Sequence, residues 1–163
     1  MVDPILIFII ALATAFLLGL LERLSKNLTT YLFYAALLVM TAISGEWLLR
    51  ILLDNGGKMV YTAGFKPPFS INLFMGRMES FLTFFINLVG FFSALFLYKK
   101  FYQYKYYSKI LFLMLIMGLH GVVMTRDLFN LFVFLEINAI STLSLVAFRD
   151  DYNSLNSGFK YAI

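Results

Sequence analysis

Glu136 sits inside residues 128–148, an otherwise uncharged and largely apolar stretch bounded by Asp127 and by Arg149-Asp150-Asp151. Coiled as a helix, such a stretch crosses roughly 30 Å of hydrocarbon and places the carboxylate about 13 Å inside the membrane boundary. A charge at that depth costs at least about 2.5–3.5 kcal/mol on insertion scales. The default reading of such a group is a proton or ion relay, which gains and loses a proton as a partner moves. The alternative is an acid hydrogen-bonded within a bundle for packing. His120 is a second candidate, since imidazole ordinarily titrates near 6.5. It lies between Gly118 and Gly121, so a hydrogen-bonded packing role competes with a relay.

At 100° per residue, Glu136 shares a helix face with Phe129, Phe132, Ile140 and Leu143. Asn130, Asn138, Ser141 and Ser144 fall mainly on a different arc. These residues either pack against a neighbouring helix or line a hydrated path, and packing is favoured. Glu79 opens another apolar run, where a carboxylate in the first turn suits the helix dipole and also stands as a supporting site residue. Glu46 and Arg50 are spaced i,i+4 and read as an ion pair near an interface.

The elements that carry these residues follow from composition. The chain has 163 residues, 61% of them hydrophobic and 13% charged, with mean hydropathy +0.85. Soluble domains are nearer 45–50% apolar and about 25% charged. This composition describes a single all-α integral membrane domain over residues 1–163, without room for a soluble catalytic domain. No nucleophile–base set or cofactor motif is present, so the chain reads as no enzyme in itself and as holding no cofactor. Cysteine is absent and histidine occurs once, which excludes disulfides, iron–sulfur clusters and a metal site built on thiolates. The net charge of +4 reflects basic residues at span ends rather than nucleic-acid binding.

Apolar runs of membrane length predict spans at residues 4–21, 31–53, 78–98, 110–124 and 128–148. A sixth helix begins near Gly158-Phe159-Lys160-Tyr161. Between the second and third spans lies a Gly/Pro-rich loop, residues 54–71, expected to fold over the outer surface. The runs are too long and too continuously apolar for barrel strands. Arg23, Lys26, Lys99, Lys100, Lys105, Lys109, Arg149 and Lys160 fall on one side. Arg50, Lys58, Lys66, Arg77 and Arg126 fall on the other. The first group marks the cytoplasm, which puts the N-terminus and the Gly/Pro loop outside.

Two segments carry a family resemblance. The run YTAGFKPPFSINLFMGRMESFLTFFINLVGFFSALF resembles the outer loop and third helix of the antiporter-like subunits shared by respiratory complex I, Mrp-type Na+/H+ antiporters, membrane-bound hydrogenases and archaeal sulfur-reducing complexes. The run TRDLFNLFVFLEINAISTLSLVAFRDDYNSLNSGFKYAI resembles their fourth-to-fifth helix region, above all that of the Mrp D protein. The resemblance covers nearly the whole chain. It implies that Glu136 is the proton-path acid, paired in the family with a lysine on a broken seventh helix. It also implies about fourteen helices in the complete subunit, with inverted repeats and broken helices near mid-membrane. Gly76 stands where the family commonly has an aspartate.

The expectation is a truncated antiporter-like subunit, since the chain stops before that lysine. It would sit in the plasma membrane of a prokaryote, within a hetero-oligomeric respiratory or antiporter complex. Its partners are other membrane subunits and the lipid bilayer. Its role is H+ or Na+ translocation, with the cationic partner of Glu136 supplied by another chain. A structural, non-pumping subunit packed between others is the alternative.

Overall fold

The computed structural model describes residues 3–22, 25–54, 56–61, 72–103, 106–147 and 160. Its helices are α1 (Ile5–Leu21), α2 (Lys26–Asp54), α3 (Arg77–Phe96), α4 (Tyr98–Gln103), α5 (Tyr107–Met124) and α6 (Leu128–Val146). Strands β1 (Lys58–Tyr61) and β2 (Asn72–Met75) form an antiparallel hairpin, with Lys58 opposite Met75 and Tyr61 opposite Asn72. Among the described residues, α2, α3, α5 and α6 are long and apolar enough to cross a membrane. At 17 residues, α1 is apolar but extends only about 25 Å. The chain is a multi-helix integral membrane protein.

The helices differ from the predicted spans at their ends. α2 starts at Lys26 rather than Tyr31, because Thr29 and Thr30 turn their hydroxyls back onto the Lys26 carbonyl, at 2.9 Å each, inside the helix. The third run breaks after Phe96, and Tyr98–Gln103 forms a separate short helix. There Phe101 is buried against Phe33 and Phe112 while Lys99, Lys100 and Tyr102 are exposed. That division suits a membrane–water boundary better than a hydrocarbon interior. Part of the predicted outer loop is the hairpin, and residues 62–71 lie outside the described residues. The onset of a sixth helix likewise lies outside them, apart from Lys160.

Packing follows from side-chain size. On α3 the buried residues are Ser80, Thr83, Asn87, Gly90 and Ala94, a 3-4-3-4 spacing of small and polar side chains. Such a seam lets helix backbones approach closely. On α5, a Cβ at Gly118 would lie 2.5 Å from Asn138 Oδ1, and one at Gly121 would overlap the Phe134 ring. Both α6 side chains therefore seat in notches that only glycine leaves open. Phe134 also meets Phe8 of α1, with ring centroids 5.6 Å apart. The core is completed by Trp47, Phe33, Met40, Leu113 and Met124, all at most 1% exposed.

Among the described residues, Lys26 and Lys109 of the first basic group lie at one end of the bundle, and Arg50, Lys58, Arg77 and Arg126 of the second lie at the other. At the hairpin end, Lys58 reaches Asp3 (3.4 Å) and Arg126 pairs with Glu79. At the other end, Lys26 lies over the Tyr102 ring at 5.1 Å, and Tyr102 donates to Asn27 Oδ1 at 3.1 Å.

Candidate functional site

The ionisable candidates His120, Glu79 and Glu136 fall in three places: an interior centre, a clasp at the hairpin end, and the outward face of α6. The interior centre joins α2, α3 and α5. Asn87 Nδ2 donates to the Met40 carbonyl at 3.3 Å, and Asn87 Oδ1 lies 3.0 Å from His120 Nε2. Asn87 is 1% exposed and His120 0%. The Met40 carbonyl can only accept, so the amide nitrogen must face it and the amide oxygen must face the ring. His120 Nε2 therefore donates. Thr83, one turn before Asn87 on the same face of α3, is also fully buried. Neither Asn87 nor Thr83 is conspicuous in the sequence. The available signal was the small-and-polar seam running through residues 80, 83, 87, 90 and 94.

The clasp holds the start of α6. Glu79 Oε2 accepts from the Gly76 backbone N–H at 3.0 Å, closing the first turn of α3. Glu79 Oε1 accepts from the Arg126 guanidinium, whose carbon lies 5.0 Å from the centre of the Phe74 ring. The Arg126 backbone N–H donates to the Asn72 carbonyl at 3.0 Å, and Thr125 bridges to Leu73. Asp127 then caps α6, its Oδ1 accepting from the Phe129 N–H at 3.1 Å. Asn130 is buried in the next turn and donates to Thr125 Oγ1 at 3.2 Å. Thus Glu79 and Asn130, both expected as supporting residues, meet at the turn that starts α6.

Glu136 stands apart from both groups. It is exposed on α6 beside Phe129, Phe132 and Ile140, which are 74%, 60% and 59% exposed. Asn130 and Ser141 are buried on the bundle side, and Asn138 packs against Gly118. On this helix Asn130, Asn138 and Ser141 turn toward the bundle, and Glu136 with Phe129, Phe132 and Ile140 turns outward, while Leu143 is half-buried. Among the described residues, no ion pair or hydrogen bond reaches Glu136. His120 points into the bundle, so the two candidate path residues do not share a site. No group of three or more metal-ligating side chains occurs among the described residues.

A further ionisable group was assigned to a loop by sequence and lies instead within α5. Lys109 is 1% exposed, and its Nζ donates to Thr30 Oγ1 at 2.7 Å and Thr29 Oγ1 at 3.5 Å. Both hydroxyl hydrogens already go to the Lys26 carbonyl, which leaves their oxygens free to accept from the amine.

No family model matches the chain. It is 37% identical over 154 residues to the N protein of NADH-quinone oxidoreductase from Desulforudis audaxviator, covering 89% of this chain and 30% of that protein. It is 27% identical over 129 residues to the D protein of the Na(+)/H(+) antiporter from Alkalihalophilus pseudofirmus, covering 75% of this chain and 26% of the relative. Its fold superposes on a chain of the membrane-bound sulfane sulfur reductase, an archaeal respiratory membrane complex, with a TM-score of 0.90 and 31% identity. That match covers 97% of this chain and 33% of the other. A chain of the Mrp complex from Dietzia sp. shares the fold at a TM-score of 0.83 and 19% identity, covering 99% of this chain and 31% of that one. The chain spans about a third of the length of these proteins. On these similarities, the homologues of this helical, acid-bearing chain are the N protein of NADH-quinone oxidoreductase and the D protein of the Mrp Na+/H+ antiporters, each matched over about a third of its length or less.

Proposed function

We propose that this chain is an antiporter-like membrane subunit of a multisubunit respiratory or antiporter complex in a prokaryotic plasma membrane, and that it contributes to H+ or Na+ translocation through Glu136. The observation that carries the reading is the placement of Glu136. An ionisable group sits midway along a membrane-length helix, on the face turned away from the helices that pack against it. A carboxylate in hydrocarbon needs a cation, a hydrogen-bond donor or water beside it. Such a partner belongs to helices packed over α6, from a longer form of the chain or from a neighbouring subunit. Their approach and withdrawal would change how favourable the charged form of Glu136 is, which is the requirement for a relay. The chain itself would bring no cofactor. The oxidoreductase or antiport activity would belong to the complex.

The extent of apolar surface favours a second reading. Leu53, Phe96 and Leu128 are each more than 80% exposed, and such surface suits a subunit that packs between others and seals a lipid-facing edge without pumping. The two readings separate in vesicles holding the assembled complex. The relay reading expects Glu136→Gln to lower ion translocation while assembly stays intact. Unchanged translocation would support the structural reading.

A further inference from the structure

The interior centre around Asn87 and His120 is incomplete in its hydrogen bonding. With His120 Nε2 donating to Asn87, Nδ1 remains as the second hydrogen-bonding atom of the ring. Among the described residues no atom bonds to Nδ1, and none bonds to the Thr83 hydroxyl; both atoms are enclosed. Leaving such a buried group unpaired is costly, and native interiors almost always pair them.

Two contacts place Thr83 at the level of the His120 ring. α3 and α5 run antiparallel, with Glu79 beside Arg126 at the hairpin end and Asn87 beside His120 about two turns deeper. Thr83 lies midway between Glu79 and Asn87 on α3, on the buried seam that faces the ring. A helical side chain leans toward the N-terminus of its own helix, so the His120 ring leans toward Asn87. Of its two nitrogens, Nε2 meets Asn87, and Nδ1 sits beside the ring carbon that joins the side chain to α5.

We infer that Thr83 and His120 Nδ1 hold an internal water between α3 and α5. The water donates one hydrogen to Nδ1 and accepts the Thr83 hydroxyl hydrogen, which supplies the two partners a buried water needs at least. It extends the Met40–Asn87–His120 chain of hydrogen bonds across three helices. A metal ion is the poorer fit, because one ring nitrogen and one neutral hydroxyl offer no charged ligand. The site lies inside the bundle and Glu136 lies outside it, so the inference does not rest on the relay reading.

His120 is the only histidine of the chain, which makes the test direct. The full chain carrying 15N-histidine, in lipid bilayers, gives one Nδ1 and one Nε2 resonance. The expected spectrum has a protonated Nε2, an Nδ1 at the hydrogen-bonded acceptor position, and a cross-peak from water to the ring. Thr83→Val should remove the cross-peak and shift Nδ1 toward the free-acceptor position, whereas Thr83→Ser should keep both. In the unsubstituted chain, a protonated Nδ1 with bare Nε2, or no water cross-peak, overturns the inference. A cross-peak that survives Thr83→Val also overturns it.

Discussion

Phe134 and Glu136 lie on opposite sides of α6. Phe134 seats against Gly121 of α5, and Glu136, two residues on and about 200° around the helix, faces away from the bundle. The same helix therefore holds itself to the rest of the chain with one face and presents its carboxylate on the other.

That seating depends on the absence of a side chain at Gly121. Gly121→Val should force α6 away from α5 and destabilise the bundle by about 1–3 kcal/mol, the usual range for overpacking. Reversible unfolding in mixed micelles reads this directly. Stability equal to that of the unsubstituted chain would mean that Phe134 has room to move aside.

Asn87 serves two helices at once. Asn87→Leu should strand His120 Nε2, at a cost of about 1–3 kcal/mol, while the Met40 carbonyl keeps its bond within α2. Adding His120→Leu should restore part of the loss, because the stranded ring donor goes with it. Additive losses in the double variant would show that the 3.0 Å contact carries little energy.

The clasp between Glu79 and Arg126 is half exposed on the arginine side, with 43% of that side chain accessible against 13% for Glu79. Its direct coupling should therefore be modest, near 1 kcal/mol or below, and should shrink with added salt. A double-mutant cycle with Glu79→Gln and Arg126→Gln measures it. Coupling that does not change with ionic strength would contradict the assignment to an ion pair.

Lys109 depends on Thr30 for its short hydrogen bond of 2.7 Å. Thr30→Val keeps the shape of the side chain and removes the acceptor, so it should destabilise by about 1–3 kcal/mol. Thr29→Val should do less, since that contact is 3.5 Å. Equal effects from the two substitutions would contradict this ranking.

The sequence carried the helices and the orientation of α6 well, because both depend on local pattern. Membrane-length apolar runs admit few alternatives, and the wheel that separated Glu136 from Asn130, Asn138 and Ser141 needed only the 3.6-residue period. The hairpin was hidden because Lys58–Tyr61 and Asn72–Met75 pair across an intervening Gly/Pro segment, a contact no local pattern announces. Charge normally marks a span end, which points Lys109 to a loop rather than to α5. Its burial depends on two threonines about 80 positions earlier. Asn87 is inconspicuous in the sequence because one amide in an apolar helix has no local partner; its meaning comes from Met40 and His120 on other helices.

The relay role of Glu136 is tested most directly by the initial rate of H+ or Na+ movement per assembled complex in sealed vesicles, compared between the unsubstituted chain and Glu136→Gln. Glutamine keeps the shape and polarity of the side chain but cannot carry the proton. The predicted result is loss of most of the translocation attributable to this chain, with the composition of the complex unchanged and partial recovery in Glu136→Asp. A Glu136→Gln complex that assembles normally and moves ions at the unsubstituted rate would contradict it.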